Sequence, residues 1–270
     1  MKEKSINVIK VGGAIVEDEA SLSRLLQAFS SLPGHKILVH GGGRSATRMA
    51  TRLGIESRMV NGRRVTDEET LRVVMMVYGG LVNKNLVAQL QAFGVNALGL
   101  TGADVRVVRS HRRPPKDVVM PDGTREVVDF GFVGDIDQVD GRMLGLLVEQ
   151  DIVPVMAPLT YDGEGHLLNT NADTIASEVA CALASEGYDV TLTYCFEKRG
   201  VLLDAQDEDS VIPQMNESDF RRLASQGIVS DGMIPKLDNA FQALRRGTKS
   251  VVITRADQLG NQSGTVLTRE

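Results

Sequence analysis

The sequence has no tryptophan, only two cysteines and no long apolar run. Each absence removes a class of protein. A membrane-spanning helix needs about 18 consecutive apolar residues, and no stretch comes near that length. The opening residues, MKEKSINVIKVGG, hold an apolar run too short for a secretory signal and broken by Lys10. Cys181 and Cys195 form no CxxC pair and no ligand cluster, which argues against a disulfide framework and a structural zinc site. They read as two buried thiols in a reducing cytoplasm. A surplus of positive charge is missing too. The 30 basic and 35 acidic residues leave a net charge of −5, so nothing in the balance argues for nucleic acid or an anionic membrane. The one local basic run is Arg106, Arg109, His111, Arg112, Arg113 and Lys116; without interleaved aromatics it reads as a solvated loop. No linker, repeat or low-complexity segment divides the 270 residues, which suffice for one large domain or two close lobes.

What is present is an alternation of β-branched runs and helical patterns. Residues 5–11 read as a strand ending in Gly12-Gly13. Leu22, Leu25, Leu26 and Phe29 then mark one helix face, which Pro33-Gly34 ends. A strand at 36–39 runs into His40-Gly41-Gly42-Gly43, and Ala46, Met49, Ala50 and Leu53 mark the next helix. Thr66 and Glu69 have the spacing of a capping box, and Gly79-Gly80 predicts a break before a helix over 82–93. A strand follows at 96–100. Residues 105–133 change character: short β runs separated by Arg113-Pro114-Pro115 and Pro121-Asp122-Gly123 read as an antiparallel hairpin insertion. Alternation then resumes. Helices are predicted over 143–150, 172–187, 218–227 and 235–247, and strands over 152–157, 190–194 and 250–254. Such alternation implies right-handed βαβ units and a mostly parallel sheet with helices on both faces.

The candidate chemistry sits at the ends of these strands, where parallel sheets place ligands. Lys10-Val11-Gly12-Gly13 and His40-Gly41-Gly42-Gly43 are neither a Walker A loop nor a GxGxxG fingerprint. Each is either a tight strand-to-helix connection or a cradle of backbone amides for an anion. Lys10 ends an otherwise apolar strand, so a desolvated ammonium there needs an anionic partner. Lys236 stands at a helix start, where the dipole disfavours a cation unless an anion shares the site. Asn169-Thr170-Asn171-Ala172-Asp173 is either a helix cap or a polar cluster that binds substrate and orients a lysine. In Asn61-Gly62-Arg63-Arg64-Val65-Thr66, one arginine could hold a carboxylate in a bidentate fork.

In this order, with Val82-Asn83-Lys84, Gly131-Phe132-Val133-Gly134 and Asp231-Gly232-Met233-Ile234-Pro235-Lys236, these segments resemble the amino acid kinase family over nearly the whole chain. The 61–66 and 169–173 segments resemble the branch acting on an acylated glutamate, not on aspartate, carbamate or UMP. The resemblance implies one α/β domain over 1–270, an open three-layer αβα sandwich with a mostly parallel central sheet. Lobe 1–170 would bind the acylglutamate and lobe 171–270 ATP, with Mg2+ carried on the nucleotide and no metal bound by the protein alone. The implied reaction is transfer of the γ-phosphoryl group to the side-chain carboxylate of N-acetylglutamate, in arginine biosynthesis. N-succinylglutamate is the alternative acceptor. A non-catalytic amino-acid-binding regulator on this fold is the reading from another class, but it would be expected to lack Lys10, Asp173 or Lys236, and all three are present.

The resemblance also implies roles. Lys10 and Lys236 would stabilise the transferring phosphoryl group, and Asp173 would hold both ammonium groups. The amides of Gly12, Gly13, Gly42 and Gly43 would cradle phosphoryl oxygens and the substrate carboxylate. Arg64 would clamp the α-carboxylate, and Asn169 would bind the acylamino-acid main chain. Thr193, Phe196, Gly200, Ser230, Asp231 and Gly232 would contact ATP, with Phe196 either stacking on adenine or packed as a core phenylalanine. The chain departs from the family pattern at Thr193-Tyr194-Cys195-Phe196-Glu197-Lys198-Arg199-Gly200, where an aspartate is missing and the turn is longer, and slightly at Gly102-Ala103-Asp104. Arginine-inhibited members carry an extra amino-terminal helix that links dimers into hexamers. This chain starts almost at its first strand, which gives the expectation of a homodimer without arginine feedback.

Overall fold

The computed structural model describes residues 5–120, 123–204, 206–229, 233–261 and 263–269. An eight-stranded sheet runs through it: β1 (Ser5–Val11), β2 (His35–His40), β3 (Ala97–Leu100), β4 (Val153–Met156), β5 (Asp189–Phe196), β6 (Gln214–Met215), β7 (Ser250–Arg255) and β8 (Thr265–Leu267). Their spatial order is β6-β8-β7-β5-β1-β2-β4-β3. Every pairing is parallel except β7 with β8. Parallel neighbours need crossover connections, and the helices that provide them cover both faces.

Alternation along β1 sorts its side chains between two cores. Ile6 and Val8 pack with Leu144, Ile175, Val179, Leu237 and Phe241 on one side. Ile9 and Val11 pack with Leu22, Leu25, Leu26, Phe29, Leu86 and Leu90 on the other. Lys10 shares the parity of Ile6 and Val8, so its side chain emerges toward the helix Ala172–Ser185. In β5, Val190, Leu192 and Tyr194 belong to the first core and Cys195 to the second, so Phe196 lies on the Lys10 face and Thr193 on the far one. Lys36, on the far face of β2, is buried and donates from Nζ to the carbonyls of Phe29 (3.0 Å), Ser30 (2.9 Å) and Leu32 (2.8 Å). It thereby closes the last turn of the helix Glu19–Ser31.

The expected antiparallel hairpin is present in only part of the 105–133 segment, over 116–128; its first strand, Val108–Arg112, pairs outside the segment, antiparallel to Gly134–Val139 and parallel to Leu159–Tyr161. Val108–Arg112 joins a four-stranded sheet with Gly134–Val139, Leu159–Tyr161 and Leu167–Asn169, while Lys116–Val119 and Arg125–Val128 form a separate hairpin. Two local expectations fail. Thr66 does not cap its helix: it is fully buried, and Asp67 takes that role by accepting from the Thr70 amide at 2.8 Å. Gly79-Gly80 does not break the helix either. Glu68–Val74 runs through a π-helical stretch, Met75–Val82, into Asn83–Ala92. Widening the coil keeps the backbone hydrogen-bonded without a break.

Candidate active site

β1 and β2 end in their glycine turns at the carboxyl edge of the sheet, and the turns pack backbone on backbone. A Cβ on Gly41 would lie 3.0 Å from the Gly13 nitrogen, and one on Gly42 would lie 2.9 Å from the Tyr78 ring. Glycine is what permits this approach. Gly12 N–H donates to the Cys195 carbonyl (3.3 Å) and Gly41 N–H to the Val11 carbonyl (3.0 Å). The Gly12 amide, expected in the phosphate cradle, is therefore engaged within the sheet. The helix Gly43–Arg52 starts at Gly42 with no side-chain cap, which leaves its first-turn amides and the positive end of its dipole for an anion. His40 braces the turn from below. Its Nδ1–H donates to the Gly41 carbonyl (2.8 Å) and its Nε2 accepts from Asn83 Nδ2 (3.2 Å). Burial pushes its pKa down to about 4, so the ring is neutral at physiological pH.

A cavity of about 240 Å³ opens from this cradle. One wall is the hairpin Met59–Val60/Arg63–Arg64, turned by Asn61-Gly62, both at positive φ (46° and 74°). That is the type I′ geometry an Asn-Gly pair favours. Alternation then buries Arg64 and exposes Arg63. Arg64 donates from Nη1 to Ser57 Oγ (2.7 Å), and from Nη2 to the Gly43 carbonyl (2.9 Å) and Thr47 Oγ1 (2.7 Å). Its Nε has no partner in the protein. The guanidinium is thus tied to the helix that forms the cradle, with one buried donor left over. Asn169 lines the same cavity and donates from Nδ2 to Thr66 Oγ1 (3.0 Å).

Arg113 corrects the reading of the basic run as a solvated loop. Its side chain is only 12% exposed. It lines the cavity and grips Asp135 in a fork, Nη2 at 2.5 Å and Nε at 3.1 Å. Its hydrogen bonds hold the Asp135 carboxyl below the usual carboxylate range. Although Arg63 is exposed at its surface edge, partial desolvation where it lines the pocket, and then the like charge of Arg113, lower its pKa, against the opposing pull of Asp135. The small sheet folds this segment back onto the site. Composition carried no signal for that, nor for Tyr78, whose phenol pKa burial raises beside Arg64.

Lys10, buried, reaches the junction. Its Nζ stands 2.7 Å from Asp173 Oδ1 in the first turn of the helix Ala172–Ser185, which Asn171 caps through the Thr174 amide. A second cavity, of about 400 Å³, is lined by Gly12, Gly13, Ala14, Arg44, Phe196, Lys198 and Lys236 among others. Lys10, Gly13 and Gly43 belong to the walls of both cavities. Lys236 occupies the first turn of the helix Ile234–Arg245, which has no side-chain cap. Burial lowers its pKa; Asp173 opposes that, and Lys10 reinforces it. Asp173 thus pairs with Lys10, while among the described residues Lys236 forms no ion pair. Thr193 is buried on the opposite face of the sheet, and Gly200 is packed against Thr265 and Val211; neither lines the cavity. Ser230, Asp231 and Gly232 lie outside the described residues.

Two cavities that meet at Lys10 and two glycine turns, with Lys236 on the wall of one, at the carboxyl edge of a parallel sheet, have the layout that phosphoryl transfer requires. The chain belongs to the amino acid kinase family, whose pattern matches residues 5–255. It is 61% identical over 267 residues to acetylglutamate kinase of Phocaeicola vulgatus, covering 99% of both chains. To acetylglutamate kinase of Bacteroides fragilis it is 59% identical over 265 residues, covering 98% of this chain and 97% of the relative. Among solved structures, smu.665 from Streptococcus mutans superposes with a TM-score of 0.74 at 28% identity, covering 98% of this chain and 99% of that one. Among the described residues, no helix is long and apolar enough to cross a membrane.

Proposed function

We propose that this chain transfers the γ-phosphoryl group of ATP to the side-chain carboxylate of N-acetyl-L-glutamate, a step of arginine biosynthesis. One observation carries the reading: the two cavities share Lys10, Gly13 and Gly43, so an acceptor in one and a nucleotide in the other face each other across them. The acceptor carboxylate is ionised at pH 7 and needs no general base. Its oxygen forms a bond to the γ-phosphorus as the bond to the β–γ bridging oxygen breaks, giving the acyl phosphate and ADP. The difficulty is bringing two anions together, and the site answers with position and charge. Lys10, held by Asp173, and Lys236 neutralise the transferring group. The amides of Gly13, Gly42 and Gly43 receive its oxygens and the acceptor. Arg64 takes the α-carboxylate through its unpaired Nε, and Asn169 the acylamino main chain. Mg2+ arrives on the ATP phosphates and supplies further charge neutralisation.

On this reading residues 1–170 hold the acylglutamate and 171–270 the nucleotide. We place two copies in a homodimer through the open edge strand β3 and the exposed Met75, Met76 and Leu81 nearby in the chain. A reducing cytoplasm suits the two buried free cysteines.

A second acceptor is favoured by a specific feature. A cavity of about 580 Å³, lined by Arg63, Arg113 and Lys116 together with Asp117 and Asp135, adjoins the substrate pocket; with Arg113 held by Asp135, Arg63 and Lys116 are its cations toward a ligand. It would suit a longer acyl group ending in a carboxylate, such as succinyl. An ADP-release assay with acetyl-, succinyl- and unacylated glutamate tests both readings. Turnover on acetylglutamate is expected, and none on any of the three would sink the kinase reading.

A further inference from the structure

The two lysines at the junction are held by different chemistry. Lys10 has a carboxylate at 2.7 Å. Lys236 has a ring: its Nζ stands 3.9 Å from the centroid of Phe196, and Lys10 Nζ stands 5.2 Å from the same centroid. The ring is itself supported. Tyr194 stacks on Phe196 with centroids 5.9 Å apart and planes 3° from parallel. Tyr194 is fully buried, and its hydroxyl donates to the Asp173 carbonyl at 3.3 Å. Strand parity makes this column, since residues two apart in β5 share the face toward which Lys10 points.

An aromatic face attracts an ammonium through its quadrupole within about 6 Å. The physical consequence differs from that of a salt bridge. A carboxylate beside Lys236 would neutralise the charge and compete with phosphate for it. A ring restrains the ammonium while leaving its positive charge for the nucleotide. We propose that Phe196 is a positioning residue of the transfer site, holding Lys236 over its face in register with the phosphoryl path. This rests on the kinase reading and deepens it. It also gives a role to the run beginning at Thr193, where the chain departs from its family's pattern and carries an aromatic.

The test places phenylalanine analogues of increasing fluorination at position 196, which weakens the quadrupole at nearly constant shape. The turnover number is expected to fall stepwise, by roughly 5- to 10-fold at full fluorination, with a smaller change in KM for ATP. Phe196→Leu should lose as much, and Phe196→Tyr should retain activity. A second readout needs no turnover. In protein carrying 13C-lysine, the ε-methylene protons of Lys236, assigned by their loss in Lys236→Arg, should be shifted upfield by the ring current and should return to the ordinary position in Phe196→Leu. A turnover number indifferent to fluorination, or unshifted ε-protons in the parent, overturns the proposal. A rise in the KM for ATP alone in Phe196→Leu also overturns it, assigning the ring to adenine. Failure of the parent to turn over any acylglutamate would sink the kinase reading alone, while the resonance would still decide whether the ring holds Lys236.

Discussion

Lys10 and Lys236 bring the same charge to one junction from two differently built regions. Lys10 ends a strand bonded on both sides to parallel neighbours, and its ammonium is matched by a carboxylate from a capped helix. Lys236 stands in the first turn of an uncapped helix, over the ring of Phe196, and among the described residues it forms no ion pair. The first arrangement contributes to the fold as well as to the chemistry. The second leaves an excess positive charge at a helix end that already favours anions, which on the proposed reading the nucleotide balances.

Substitution at the two positions separates these arrangements. Lys10→Ala is expected to lower the turnover number by on the order of 10³-fold. It should also cost about 3 kcal/mol in urea unfolding, because Asp173 is left largely buried without its partner. Lys236→Ala is expected to lower turnover by on the order of 10²-fold at unchanged stability. Equal stability of the two variants would break the comparison, and an unchanged turnover number in Lys236→Ala would refute its role in transfer.

Arg64→Lys probes the acceptor side alone. A point charge cannot reproduce the fork that binds Ser57, Gly43 and Thr47. The KM for acylglutamate should rise roughly 10-fold or more while that for ATP stays within about twofold. Equal rises in both constants would mean that the two cavities are not separate sites.

The smallest effect is a pH dependence. Burial holds the pKa of Lys236 below the usual 10.5, and on the proposed reading the cationic form serves transfer. Activity should therefore be complete below this depressed pKa and lost as pH rises through it. Lys236→Arg should move the loss to higher pH, since a guanidinium stays protonated. A basic limb that stays in place would assign it to another group.

Much of this was legible before any coordinates. The β-branched runs and glycine turns located the strands that carry the site, because an apolar run ending in Gly-Gly has few other uses in an alternating chain. Lys10, Arg64, Asn169, Asp173 and Lys236 stood in short motifs whose residue types announce anion chemistry. Arg113 did not, because its neighbours in sequence are exposed and its partner Asp135 lies 22 residues away, across an antiparallel pairing. Thr66 looked like a cap and proved to be a buried hydrogen-bond partner of Asn169, 103 residues distant.

The sequence by itself determined the alternation of strands and helices, the two glycine turns and the ordered motifs whose resemblance to the family singled out Lys10, Arg64, Asp173 and Lys236. The first two follow from local periodicity, and the motifs are short runs readable without any partner. Tertiary structure alone decided which anion each cation meets. Asp173 goes to Lys10 and not equally to both lysines, Phe196 goes to Lys236, Arg113 turns into the pocket, and Gly12 gives its amide to the sheet. The physical reason is range. Periodicity is written within a few residues, whereas Coulomb and quadrupole contacts depend on distances of a few ångströms between groups far apart in the chain, which only the packed sheet fixes.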